Sequence, residues 1–140
     1  MKELTQKTIG IILLNRLFLI DTCGWIEWLT NGILVDKFTP YFKQPSGIIV
    51  PTVLQYELYK WVCRERSETE AQSIIAVTQQ SQVIPLDTSL ALLAAKLASQ
   101  YRLSMADALI YATAQLNKAK LITSDNHFSN LPDVCYFSKQ

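Results

Sequence analysis

The sequence holds one histidine, three cysteines and four glycines, and each shortage removes a class of chemistry. A lone imidazole, His127, cannot build a multi-histidine metal site, and it offers little basis for a Cys–His nucleophilic pair. Cys23, Cys63 and Cys135 are widely spaced and odd in number, with no C-x-x-C pair. Neither a disulfide framework nor a zinc ribbon is indicated, so reduced thiols and a cytoplasmic setting are expected. No glycine-rich phosphate loop of the P-loop or dinucleotide type occurs. The formal net charge is +1 and no run of Lys or Arg is present, so any nucleic-acid surface must be local. The apolar run Ile9–Leu14 is broken by Asn15 and Arg16, which is too short for a membrane span.

What is present reads as one α/β domain. The 140 residues suit a single core, with 49% apolar and 18% charged residues. "RLFLID", "GIIVP", "QVIPLD", "AKLITSD" and "VCYF" are short apolar runs closed by a polar residue or proline, and most lack alternation. That pattern predicts strands buried on both faces. Segments of helical period separate them. Thr52 with Gln55 and Ser67 with Glu70 read as capping boxes; Asp87 or Thr88 caps "SLALLAAKLASQY", and Ser104 caps "MADALIYATAQL". Alternating strands and helices imply right-handed crossovers and a parallel sheet. Residues 17–140 form the domain. Residues 1–16 are an extension of unreadable role, for which a start assigned too far upstream is one explanation.

Four acids are badly placed for solvation. Asp21 closes "LFLI" and Asp125 follows "LITS", so both should emerge at the carboxyl rim of the sheet, where ligands of such folds bind. Glu57 falls in the apolar stripe of Leu54, Leu58, Trp61 and Val62, and Asp107 in that of Ile110, Tyr111 and Ala114. Local explanations exist for each: caps for Asp21 and Asp125, a capping box for Asp107, a pair with Lys60 for Glu57. Gathered at one rim, however, carboxylates ~5 Å apart repel by roughly 3 kcal/mol per pair at an effective dielectric of ~20. Such a cluster calls for protons or a divalent cation, and oxygen donors select Mg²⁺ or Mn²⁺ over zinc.

At these residues the sequence resembles the PIN-domain ribonucleases, specifically the VapC-type toxins of bacterial toxin–antitoxin pairs. The matching stretches are "LFLIDTCGWIEWL", "IIVPTVLQYEL", "LSMADALIYATA" and "LITSDNHF". The resemblance implies a three-layer α/β/α fold with a central parallel sheet of four to five strands. It implies that Asp21, Glu57, Asp107 and Asp125 surround Mg²⁺ as catalytic and metal-binding residues, with Mn²⁺ as substitute. It also implies RNA as substrate, a homodimer, and a VapB-type antitoxin as partner. The departure from the family's pattern is the segment 1–16 ahead of the first strand.

Thr22, Thr123 and Ser124 offer hydroxyls to the metal or a phosphate, with caps and turns as the local alternative; Lys60 and Arg64, one turn apart, could meet RNA phosphates or simply complement a helix end. Trp25, Trp28 and Trp61 read as core or dimer contacts rather than stacking platforms. A phosphoaspartate hydrolase would be expected to carry a second Asp two residues after Asp21, where Cys23 stands. The remaining rivals are a non-catalytic PIN-like module that dimerises and binds a partner, and a housekeeping nuclease without an antitoxin.

Overall fold

The computed structural model describes residues 16–139; the expected extension therefore lies, but for Arg16, outside the described residues. The element order is β1 (Phe18–Ile20), α1 (Thr22–Thr30), α2 (Val35–Phe42), a 3₁₀ turn (Pro45–Gly47) and β2 (Ile49–Pro51). Then come α3 (Thr52–Glu65), α4 (Glu68–Thr78), β3 (Gln82–Ile84), α5 (Thr88–Tyr101) and α6 (Met105–Leu116). The chain ends with β4 (Lys120–Thr123), a second 3₁₀ turn (Asn126–Phe128) and β5 (Val134–Tyr136).

All five apolar runs form strands, and all their pairings are parallel. β4 lies between β1 and β5, with Leu19 opposite Leu121 and Ile122 opposite Cys135. β2 pairs with β3 in the register Val50 opposite Val83, and a single parallel bridge between Phe18 and Ile48 joins the two ladders. The spatial order is thus β3-β2-β1-β4-β5, with helices on both faces in a three-layer α/β/α arrangement. Burial follows position. β1, β2 and β4 are almost wholly enclosed, whereas the edge strands β3 and β5 stay partly exposed. Both-face burial fails at those two edges because each has a neighbour on one side only.

The helix starts follow local chemistry. Ser67 accepts from the Glu70 N–H at 3.1 Å, Asp87 from Leu90 at 2.9 Å and Ser104 from Asp107 at 3.3 Å. The expected Thr52 cap does not form. Strand β2 runs straight into α3, so Pro51 takes the capping position and Thr52 is already helical. Gln55, freed from any capping box, donates to Thr78 Oγ1 at 3.1 Å.

The core joins Leu19, Ile20, Trp25, Phe38, Leu54, Leu121 and Phe128, all essentially inaccessible to solvent; each such side chain stabilises the fold by roughly 1.5–3 kcal/mol. Gly24 lets α1 press onto this core: a Cβ there would come within 2.5 Å of Ile20 Cγ2 and 2.7 Å of Phe38. Among the described residues no helix is long and apolar enough to cross a membrane.

Candidate active site

The register places the site. Because Ile20 faces Ile122, the next residue on β1, Asp21, stands at the rim beside Thr123, and its N–H still bonds the Ile122 carbonyl at 2.9 Å. Asp21 is the N-terminal cap of α1 and only 5% exposed. Its Oδ1 accepts from the Thr22 N–H at 2.8 Å, and its Oδ2 accepts from the Thr123 hydroxyl at 2.8 Å and the Cys23 thiol at 3.7 Å. Burial drives its pKa from 3.8 to about 7; the Thr123 and Thr22 hydrogen bonds oppose the rise, and the charges of Asp107 and Glu57 add to it.

Glu57 enters from α3, the helix that β2 feeds. Its Oε1 accepts from the Thr22 hydroxyl at 2.8 Å. Burial raises its pKa, the Thr22 bond resists, and the fields of Asp107 and Asp125 add to the rise. Asp107 lies in the first turn of α6 with a side chain 18% exposed. Its pKa too is raised, by burial and then by Asp125, while His127 and the Ser104 hydroxyl hold it down. Asp125 caps the second 3₁₀ turn: its N–H bonds Thr123 Oγ1 at 2.9 Å and its Oδ1 accepts from the His127 N–H at 2.9 Å. Asp107 and Glu57 thus act on Asp21, Asp107 and Asp125 on Glu57, and Asp125 on Asp107, although the four acids come from four separate elements. Capping and convergence coexist for Asp21 and Asp125, whose carboxylates accept from the Thr22 and His127 N–H groups, whereas Asp107 gives only its N–H to the Ser104 cap.

The hydroxyls divide. Those of Thr22 and Thr123 are donated to Glu57 and Asp21, so they hold carboxylates in place rather than stand free for a phosphate. The Ser124 hydroxyl is buried with no hydrogen bond of ordinary geometry. Lys60 lies over the Tyr56 ring at 5.8 Å, and Arg64 pairs with Glu65 at 2.9 Å. Among the described residues no ion pair joins Glu57 to Lys60, so the local explanation offered for Glu57 does not apply. Trp25 is a core residue, stacked edge-on against Phe42 at 4.8 Å; Trp28 is 37% exposed.

Two neighbours escaped the sequence reading. His127, dismissed as a lone imidazole, sits with Nδ1 3.1 Å from Asp125 Oδ1 and 3.5 Å from Asp107 Oδ2. One ligand atom each of Asp107, Asp125 and His127 fall within 4.8 Å of one another, a spacing that a metal ion could bridge. The usable signal was the Asp-x-His spacing in "SDNHF", because an aspartate-capped turn folds the second following residue back toward the cap. Cys23 is the other: burial and the Asp21 charge raise its thiol pKa, and it packs 3.5 Å from Thr123 Oγ1.

The fold is a parallel α/β domain whose carboxyl rim, where ligands of such folds bind, gathers four acids and one imidazole. The sequence matches the family model for the PIN domain over residues 18–134, and the chain belongs to the PIN-domain family. Among solved structures, a toxin–antitoxin complex from Klebsiella pneumoniae matches with a TM-score of 0.72 and 24% identity, covering 86% of this chain and 98% of that one. The DNA-bound VapBC of Salmonella typhimurium matches with a TM-score of 0.70 and 14% identity over 88% of this chain and 98% of that one. VapC20 of Mycobacterium tuberculosis, described as a sarcin-ricin loop cleaving toxin, also gives 0.70 and 14%, over 84% and 96%. These likenesses concern the fold. No curated protein matches the sequence significantly.

Proposed function

We propose that the protein is a metal-dependent endoribonuclease that hydrolyses RNA phosphodiesters, and that it acts as the toxin of a toxin–antitoxin pair. The observation that carries this reading is the gathering of acids at one rim: Asp21 is buried there, the hydroxyl of its neighbour Thr22 ties in Glu57, Thr123 links Asp21 to Asp125, and Asp107, Asp125 and His127 bring ligand atoms within 4.8 Å of one another. Among the described residues no Lys or Arg pairs with any of the four acids. An acidic cluster so placed is stabilised by protons or by a divalent cation.

The donor set fits such an ion. Asp21, Glu57, Asp107 and Asp125 would hold it; carboxylate oxygens suit Mg²⁺, and the His127 nitrogen suits Mn²⁺ as a substitute. When bound, the ion polarises a phosphoryl oxygen and makes an attending water more acidic. The chain's own groups do the rest. Thr123 and the Thr22 N–H fix the Asp21 carboxylate, and the Thr22 hydroxyl fixes Glu57 by Oε1. The other Glu57 oxygen is left to orient the attacking water and take its proton, a task for which Asp125 is the second candidate.

Asp107→Asn is expected to abolish cleavage of an RNA pool in Mg²⁺ while leaving the circular-dichroism spectrum and thermal midpoint near wild type; full cleavage by the variant would refute the mechanism. Mg²⁺ binding without cleavage of any RNA would favour a partner-binding module instead. The toxin–antitoxin complexes among the similar structures support a VapB-type antitoxin as partner, and a lone gene with no antitoxin beside it would favour a housekeeping nuclease. A homodimer is supported by the apolar groove between α5 and α6, about 370 Å³ in volume, where Leu86 is 50% and Met105 78% exposed; light scattering on the purified chain tests it.

A further inference from the structure

Beside the acidic rim, on the β5 side, lies a second cavity of about 450 Å³, lined by Cys23, Ser124, Asp125, Asn126, Tyr136 and Lys139 among others. Its volume falls in the range of roughly 300–1,000 Å³ typical of small-ligand pockets. The proposed mechanism uses only Asp125 of this lining.

Ser124 marks the cavity as a site. It is 8% exposed, and its Oγ finds no hydrogen bond of ordinary geometry. The Cys23 thiol lies beside it, and the hydroxyl helps hold that thiol's pKa down against the effect of burial. Buried polar groups are rarely left so, because an unmade hydrogen bond is costly, and a ligand with a donor or acceptor on its edge would remove that cost. Tyr136 and Asn126 share the lining; an aromatic ring is a group on which a base can stack, and an amide can both donate and accept. The Asp125 carboxylate disfavours a bare phosphate. A neutral, planar group with a hydrogen-bonding edge suits this lining better.

We propose that this cavity is a base-binding subsite, taking one unstacked nucleobase of single-stranded RNA next to the phosphate at the acidic rim. The base stacks on Tyr136, its edge meets Ser124 and Asn126, and Lys139 attends the adjoining backbone phosphate. Aromatic stacking with edge hydrogen bonds is how unpaired RNA bases are read in general. The subsite rests on the nuclease reading for its neighbour, the scissile phosphate, but binding to it needs no cleavage.

The test therefore uses the full chain in chelator, titrated with each of the four nucleoside 5′-monophosphates and, separately, with inorganic phosphate. Saturable NMR shifts at Ser124, Asn126 and Tyr136 with at least one nucleotide, and none with phosphate, are expected. Tyr136→Ala should weaken binding about tenfold or more and Tyr136→Phe should retain it. Ser124→Ala should weaken binding with a thermal midpoint close to wild type, since its hydroxyl has only the Cys23 thiol beside it in the free protein; Asn126→Ala, an exposed change that carries no risk of misfolding, should weaken binding as well. Equal shifts with phosphate alone, or no nucleotide binding at millimolar concentration, would overturn the subsite. Cleavage of RNA with no binding in this pocket would sink the subsite alone. Nucleotide binding here without any cleavage would sink the nuclease reading alone.

Discussion

Asp21→Asn separates what the site does for function from what it costs the fold. The carboxyl titrates near 7 in the folded chain against 3.8 in its ordinary state, a difference of about three pH units. At pH 8, where the group is ionised in both states, this amounts to about 4 kcal/mol against folding. An amide removes the charge, but of the three donors that meet Asp21, the Thr22 N–H on one oxygen and the Thr123 hydroxyl and Cys23 thiol on the other, at least one would then face an NH₂ group. An unmatched buried donor gives back about 1–3 kcal/mol. The net expectation is a stabilisation of about 2 kcal/mol in chelator at pH 8, or roughly 6 °C in thermal midpoint. Calorimetry in EDTA reads it directly. Saturating Mg²⁺ should raise the midpoint of wild type far more than that of the variant, and RNA cleavage by the variant should vanish. A variant less stable than wild type in EDTA at pH 8 would refute the reasoning, because the carboxylate would then be a favourable part of the metal-free fold.

Other consequences follow from the same geometry. Since the folded pKa of Asp21 is raised, the folded state binds more protons than the unfolded between pH 3.8 and about 7, so metal-free stability from this group falls as pH rises through that window and levels off above it. Wild type minus Asp21→Asn, compared at pH 5 and pH 8 in EDTA, isolates the effect; a difference that does not change with pH would count against it. Gly24→Ala drives a methyl into Ile20 and Phe38 and should cost about 1–3 kcal/mol by overpacking, read from urea unfolding. Ser104→Ala removes the cap of α6 and should cost about 1 kcal/mol. It should also lower the RNA cleavage rate, since Asp107 sits in the first turn of the helix that loses its cap.

Much of this architecture is written in short-range pattern, and the exceptions have definite causes. The five apolar runs, the caps at Ser67, Asp87 and Ser104, and the rim positions of Asp21 and Asp125 each depend on a few neighbouring residues, so they could be read directly. Thr52 misled because a strand ending in proline can feed a helix without a loop, which moves the cap one residue back. His127 misled because a count of histidines says nothing about a single ring that a tight turn folds against two acids. Thr123 is the most instructive case. Its hydroxyl is donated to Asp21, 102 residues away in sequence, while accepting from Asp125 two residues on, so one side chain couples the two strand-end acids. Local pattern places each partner at the rim; only the register of β1 on β4 brings them to hydrogen-bonding distance. The same register explains why a carboxylate that caps its own helix also serves the site. The cap fixes the side chain's direction, the parallel pairing fixes what it points toward, and the charge that remains is what the proposed function assigns to a cation.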